Sequence, residues 1–166
     1  KIESKGTLPV YTSGSKILNN YMYDMPIASA QVKSCLLLAA LASKNNITIF
    51  EPKITRDHTE RMIDYFGGDI NFCQKENTGE VELKFNNLSP KSSYTVPGDF
   101  SSAAFIIIAT LISHQSEVLI KNVGLNKTRS GLLEILKLMG ANINIQNQKI
   151  ESNEQVGDII VKSSNL

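Results

Sequence analysis

Two hydrophobic rhythms alternate along the chain. Short β-rich runs with period-two character give way to longer runs with helical spacing, and the cycle goes round twice. Residues 7–12 and 20–25 read as extended segments on either side of the turn-like Ser13-Gly14-Ser15-Lys16. The next pattern predicts a helix over 29–43. Asn45-Asn46 breaks it, and the β-rich Ile47-Thr48-Ile49-Phe50 is ended by Pro52. Asp57 and Glu60 have the spacing of a capping box, and Met62, Ile63 and Phe66 form the apolar stripe of a second helix, which Gly67-Gly68 stops. Residues 69–73 and 80–85 predict a strand pair around Asn77-Thr78-Gly79.

The same order then recurs. Tyr94-Thr95-Val96-Pro97 is extended, 101–113 helical, 117–121 a strand and 129–139 a helix stopped by Gly140, with strands at 141–146 and 158–162. Phe66-Gly67-Gly68-Asp69-Ile70 is echoed by Met139-Gly140-Ala141-Asn142-Ile143. The period is too long for the common solenoid repeats, so the pattern predicts an α/β (α+β) chain made of two βαβαββ units. Residues 35–41 and 105–112 are apolar on every face, so helices there need cover all round, and further units are expected to provide it.

At 166 residues the chain is long enough for a real core, and a net charge of +1 implies no general attraction to nucleic acid or membrane. The two cysteines, Cys35 and Cys73, are unpatterned and are expected to be buried free thiols, which suits a reducing, cytoplasmic setting. Residues 1–5 carry no signal-peptide pattern, and no apolar run is long enough to span a bilayer. The chain does not begin with methionine, as expected either of a fragment of a longer protein or of a chain whose first residue is removed by processing. No GxGxxG, P-loop, CxxC or HExxH pattern occurs, so neither a cofactor nor a metal is expected.

Candidate chemistry gathers at two helix starts. In Pro26-Ile27-Ala28-Ser29-Ala30-Gln31 a helix opens with a good N-cap, a small residue that lets a ligand approach the backbone, and a neutral donor–acceptor. The amide groups of such a turn can hold a phosphate or carboxylate, although Ser29 as a simple cap explains the same residues. In Thr55-Arg56-Asp57-His58, Arg56 precedes a helix N-terminus, where the dipole disfavours a cation. Either it completes an anion site with Thr55, or it pairs with Asp57 or Glu60 at the surface. His58 reads as a ligand donor or a solvated helix-start histidine, and His114 as a favourable charge at a helix end. Asn126-Lys127-Thr128-Arg129-Ser130 offers two more cations, whereas Asp99, a cap candidate with Ser101, makes its own turn a poor anion site.

Four stretches carry a resemblance: Ala28-Ser29-Ala30-Gln31-Val32-Lys33-Ser34, Thr55-Arg56-Asp57-His58-Thr59-Glu60, Val96-Pro97-Gly98-Asp99-Phe100-Ser101-Ser102 and Asn126-Lys127-Thr128-Arg129-Ser130-Gly131-Leu132. In order and spacing the chain resembles 5-enolpyruvylshikimate-3-phosphate synthases, and Ser-Ala-Gln is similar to the branch with alanine in place of a second serine. The resemblance implies two lobes of three βαβαββ units each, with the active site in the cleft between them. Residues 1–95 would hold the last unit of one lobe with a preceding strand, 96–99 the crossover, and 100–166 the first unit of the other lobe.

The resemblance also implies roles. Ser29 and Ala30 match positions that hold the phosphate of shikimate 3-phosphate, and Gln31 the residue between that substrate and phosphoenolpyruvate. Arg56 matches a phosphate-binding position with Thr55 beside it, and His58 falls where some members carry a substrate-contacting tyrosine. The family reaction adds the 5-hydroxyl of shikimate 3-phosphate to C2 of phosphoenolpyruvate while C3 is protonated, then expels phosphate. The family's acid–base and clamping residues fall outside this segment, so it is expected to hold no catalytic residue and to lack turnover alone. Uncovered apolar helices predict self-association.

Two rivals remain. UDP-N-acetylglucosamine enolpyruvyl transferase shares the fold, but the Ser-Ala-Gln and Thr-Arg-Asp-His stretches argue against it. A non-catalytic βαβαββ module binding a protein or RNA would show a basic, aromatic sheet face, whereas Phe72, Phe85 and Tyr94 have few basic neighbours.

Overall fold

A computed structural model describes residues 2–3, 6–9, 11–12, 20–91 and 93–166. The expected turn at 13–16 lies outside these. The chain divides into two compact units, the first formed by Lys1–Ile54 and Asp69–Asn86, the second by Thr55–Gly68 and Asn87–Leu166.

The first unit pairs β1 (Ile2–Glu3) with β2 (Tyr11–Thr12) as a small antiparallel ribbon. Its main sheet contains β3 (Tyr21–Asp24), β4 (Ile47–Glu51), β5 (Asp69–Lys75) and β6 (Thr78–Lys84) in the order β3-β4-β6-β5. β3 runs parallel to β4 because the helix α1 (Ala30–Ser43) crosses between them, and the other pairings are antiparallel. Alternation sets the buried face: Ile47 lies opposite Leu83, Ile49 opposite Val81 and Glu51 opposite Gly79, and all six residues are buried. α1 packs on β4 and turns Leu37 and Ala40 inward. Lys44, left-handed at φ 57°, ends the helix with its N–H on the Leu41 carbonyl. The β5–β6 hairpin turns at Glu76-Asn77, ahead of the expected Asn77-Thr78-Gly79, because Thr78 and Gly79 pair with Lys75 and Gln74.

The second unit carries α2 (His58–Tyr65), α3 (Phe100–Ile112), β7 (Glu117–Gly124), α4 (Gly131–Leu138), β8 (Asn142–Glu151) and β9 (Glu154–Lys162). Its sheet has the order β7-β9-β8 and is antiparallel throughout. Ile107 and Leu111 of α3 and Leu133 and Leu136 of α4 join Ile159 and Val161 of β9 in the core. β8 and β9 run longer than their apolar cores predict, meeting at Ser152-Asn153, where φ values of 50° and 62° suit the tight hairpin turn. Residues 94–97 form no strand. The extended segment expected there survives as one parallel bridge from Gly98 to Val123, the counterpart of the β3–β4 pairing. The element order matches the two βαβαββ repeats, the second with its first strand reduced to that bridge.

The apolar runs keep uncovered faces: Phe105 is 80% and Ile112 73% exposed on α3, and Leu38 is exposed on α1. Both cysteines are exposed, against expectation. α1 buries the Lys33–Leu37–Ala40 stripe, which leaves Cys35 on another face, and Cys73 lies on the edge strand β5.

Candidate functional site

The first candidate lies where β3 hands over to α1. Ser29 is extended at φ −150°, ψ 110°, and its Oγ accepts a hydrogen bond from the Val32 N–H at 3.4 Å. The first turn holds no acidic residue, Gln31 is exposed, and Ala30 presents only a methyl group. The positive end of the dipole and the leading amides therefore meet no intrahelical negative charge, which is what an anion needs. Immediately behind, Lys33 turns inward and is fully buried, its Nζ 3.0 Å from Oε2 of the equally buried Glu51. Gly79 makes room: a Cβ there would stand 3.0 Å from that same Oε2.

Tertiary packing brings this pair together from positions 18 residues apart. Its signal was present, since Glu51 continues the buried 47–49–51 alternation of β4 and Lys33 shares the Leu37 stripe of α1. A cavity of about 340 Å³ opens beside Glu51, with Asp24, Lys75 and Glu80 in its wall.

The second candidate, within the second unit, is the turn leading into α2. Asp57 takes the N-cap place at φ −115°, ψ 19°, but makes no cap bond, which corrects the capping-box expectation. Its carboxylate is engaged elsewhere. Arg61 reaches Oδ2 through Nε and Nη2, each at 2.8 Å, and Asn126 donates to Oδ1 at 2.6 Å. His58 Nδ1 meets Oε1 of the buried Glu154 at 2.6 Å, so it is paired and not merely solvated. Asn153 at the β8–β9 turn accepts from Arg61 Nη1 at 3.1 Å through its carbonyl and donates to Asp64 at 2.7 Å. These bonds fasten α2 to the hairpin tip.

Arg56, Tyr94, Asp99 and Arg129 help line a cavity of about 300 Å³ in this unit. Asp99 caps α3 through the amides of Ser101 and Ser102, and Arg129 donates to Asp99 and to Ser101 Oγ. Burial and the nearby Glu154 and Tyr65 push the Tyr94 hydroxyl above its ordinary value. The sequence-expected residues thus divide, with Ser29, Ala30 and Gln31 in the first unit and Thr55 and Arg56 in the second.

Burial by itself would raise the pKa of Asp57, but the hydrogen bonds from Arg61 and Asn126 and the Arg61 charge outweigh it and hold the carboxyl below its ordinary value. The folded form therefore binds this proton less readily than the unfolded form. The resulting stability is complete above the unfolded carboxylate value of about 4 and is lost as pH falls through the lower folded value. Urea unfolding across an acid pH series should show the stability advantage of the unsubstituted chain over Asp57→Asn shrinking below about pH 4.

Compared with solved structures, the chain matches the EPSP synthase from Acinetobacter baumannii at a TM-score of 0.82 and 41% identity, covering 98% of this chain and 36% of that one. Among the described residues two larger sheets and four helices follow one another in βαβαββ order, and with this likeness they define a protein of the enolpyruvyl transferase fold. The family model for EPSP synthase (3-phosphoshikimate 1-carboxyvinyltransferase) matches residues 1–165, and the chain belongs to that family. The 3-phosphoshikimate 1-carboxyvinyltransferase of Petrotoga mobilis is 51% identical over 158 residues, 95% of this chain and 36% of the relative. Its counterpart in Caldicellulosiruptor saccharolyticus is 44% identical, over 99% of this chain and 38% of its own length. The chain thus spans little more than a third of these relatives.

Proposed function

We propose that this chain supplies part of the substrate site of a 3-phosphoshikimate 1-carboxyvinyltransferase of the Ser-Ala-Gln branch, the enzyme that moves the enolpyruvyl group of phosphoenolpyruvate to the 5-hydroxyl of shikimate 3-phosphate. The observation that carries this reading is the acid-free, serine-capped start of α1 in a chain of this family. Ser29 and the amides of Ala30 and Gln31 donate to the phosphate of shikimate 3-phosphate, and the Gln31 side chain bridges toward phosphoenolpyruvate. In the second unit, Arg56 offers a cation and Thr55 a hydroxyl for binding phosphate. Neutralising two strongly anionic substrates and moving a proton to C3 takes several cations and an acid–base group, which on this reading the rest of the enzyme supplies. Residues 1–95 then close one lobe, 96–99 cross over, and 100–166 open the other.

Titration with shikimate 3-phosphate followed by 31P NMR tests this. Arg56→Gln should weaken binding at least about tenfold, as expected for the loss of a charge-assisted hydrogen bond. A short RNA should not compete. Tighter binding of RNA than of shikimate 3-phosphate would favour a non-catalytic module. Enolpyruvyl transfer by the chain alone would overturn the absence of catalytic groups. The exposed Phe105 and Ile112 support self-association, which sedimentation would reveal as dimers. Two free cysteines suit the cytoplasm. Among the described residues no helix is long and apolar enough to cross a membrane.

A further inference from the structure

Arg56 adjoins Asp57 in sequence and lies one helical turn from Glu60, so capture by a carboxylate is the simplest fate for it. The second unit prevents this by committing a different guanidinium. Arg61 holds Asp57 through two nitrogens at 2.8 Å, approaches Oε2 of Glu154 at 4.0 Å and donates to the Asn153 carbonyl at 3.1 Å. The hydrogen bond it donates to Asp57, with the charges of Asp57, Glu154 and Glu60, outweighs burial and raises its pKa further, so it is a fixed cation. Asn126 occupies the other Asp57 oxygen, and His58 occupies Glu154.

The remaining charges around the 300 Å³ cavity are similarly matched, Arg129 with Asp99 and His58 with Glu154. Arg56 alone among the charged groups lining that cavity makes no hydrogen bond or ion pair with a described residue. The cavity therefore has one uncompensated positive charge, suited to an anion such as a phosphate monoester.

We infer that Arg61 is a positioning residue whose task is to occupy Asp57 and neutralise its acidic surroundings, so that Arg56 stays available to a phosphate-bearing ligand. This rests on the reading of Arg56 as a phosphate contact. Without Arg61, the carboxylates of Asp57, Glu154 and Glu60 lose the guanidinium whose charge they share. Asp57 then competes for Arg56, and the field repels an incoming dianion.

The test compares the unsubstituted chain with Arg61→Gln, Asp57→Asn/Arg61→Gln and Arg56→Gln, reading shikimate 3-phosphate and inorganic phosphate binding by 31P NMR and the Arg56 Nε–H resonance without ligand. In Arg61→Gln, binding should weaken about tenfold and the Arg56 Nε–H should become protected from exchange, as in an ion pair. The double variant should restore both to within about twofold, because the competing carboxylate is gone. A merely structural Arg61 would not be rescued by deleting its own partner. An unchanged Arg56 resonance in Arg61→Gln, or a double variant no better than the single one, overturns the inference. Arg56→Gln binding as tightly as the unsubstituted chain would instead overturn the reading of Arg56. Should Arg61→Gln not fold, Asp57→Asn alone decides: binding should hold or tighten, and weakening overturns the inference.

Discussion

Replacing Lys33 with methionine should destabilise the first unit by about 3–5 kcal/mol, because it removes a buried cation that stands 3.0 Å from the buried Glu51 carboxylate. Both side chains are completely buried and their charged atoms lie 3.0 Å apart, so water cannot take over the lost contact. The pair is not inherently a large source of stability, since dehydrating two ions offsets most of their attraction. Lys33→Met/Glu51→Leu should therefore recover most of the loss. Equilibrium urea unfolding followed by far-UV circular dichroism gives both numbers. A loss below about 1 kcal/mol for the single variant, the scale of an exposed pair, would show that the charges are hydrated in solution. The same substitution should weaken phosphate binding, because Lys33 is four residues past Ser29 and anchors the first turn of α1 to the end of β4.

Gly68→Ala should cost about 2–3 kcal/mol for a different reason, overpacking at a rigid contact. A Cβ at Gly68 would fall 2.3 Å from Ile63 Cγ2 and 2.9 Å from the Ile63 carbonyl oxygen, with Leu88 at 3.1 Å on a third side. Ile63 is buried and β-branched, and its carbonyl already accepts the Gly68 N–H at 2.9 Å, so neither can move aside without breaking the helix end. Gly131→Ala is the matched control. It opens α4 with no atom within 4 Å of the new methyl group, and should stabilise by up to about 1 kcal/mol through a less flexible unfolded chain. Thermal unfolding of the two variants side by side should shift in opposite directions.

The elements that were legible are those whose signal is local. Ser29 and Asp99 as caps, Gly67 and Gly140 as stops at φ 77° and 92°, and the alternating 47–49 and 81–83 positions all follow from what neighbouring residues do to the backbone. The capping box at Asp57 failed because Arg61 and Asn126 compete for the same carboxylate, and Asn126 is 69 residues away. The exposure of Cys35 and Cys73 is not legible in the sequence, because an apolar run says that a segment is buried somewhere, not which face is. The full length of β8 and β9 was missed because the polar stretch Gln146-Asn147-Gln148 carries no strand signal, yet it lies in a ladder with a shift in register.

The sequence by itself determined the order of strands and helices, their repetition, the capped start of α1 and the four stretches that mark the family, since each rests on periodicity or on residues close along the chain. Only the tertiary structure decided which charges stay unmatched. It buried Lys33 with Glu51 across 18 residues and tied His58 to Glu154 across 96. It also gave Asp57 to Arg61, leaving Arg56 open. Charge pairing depends on distance in space and on the exclusion of water, and folding alone sets both.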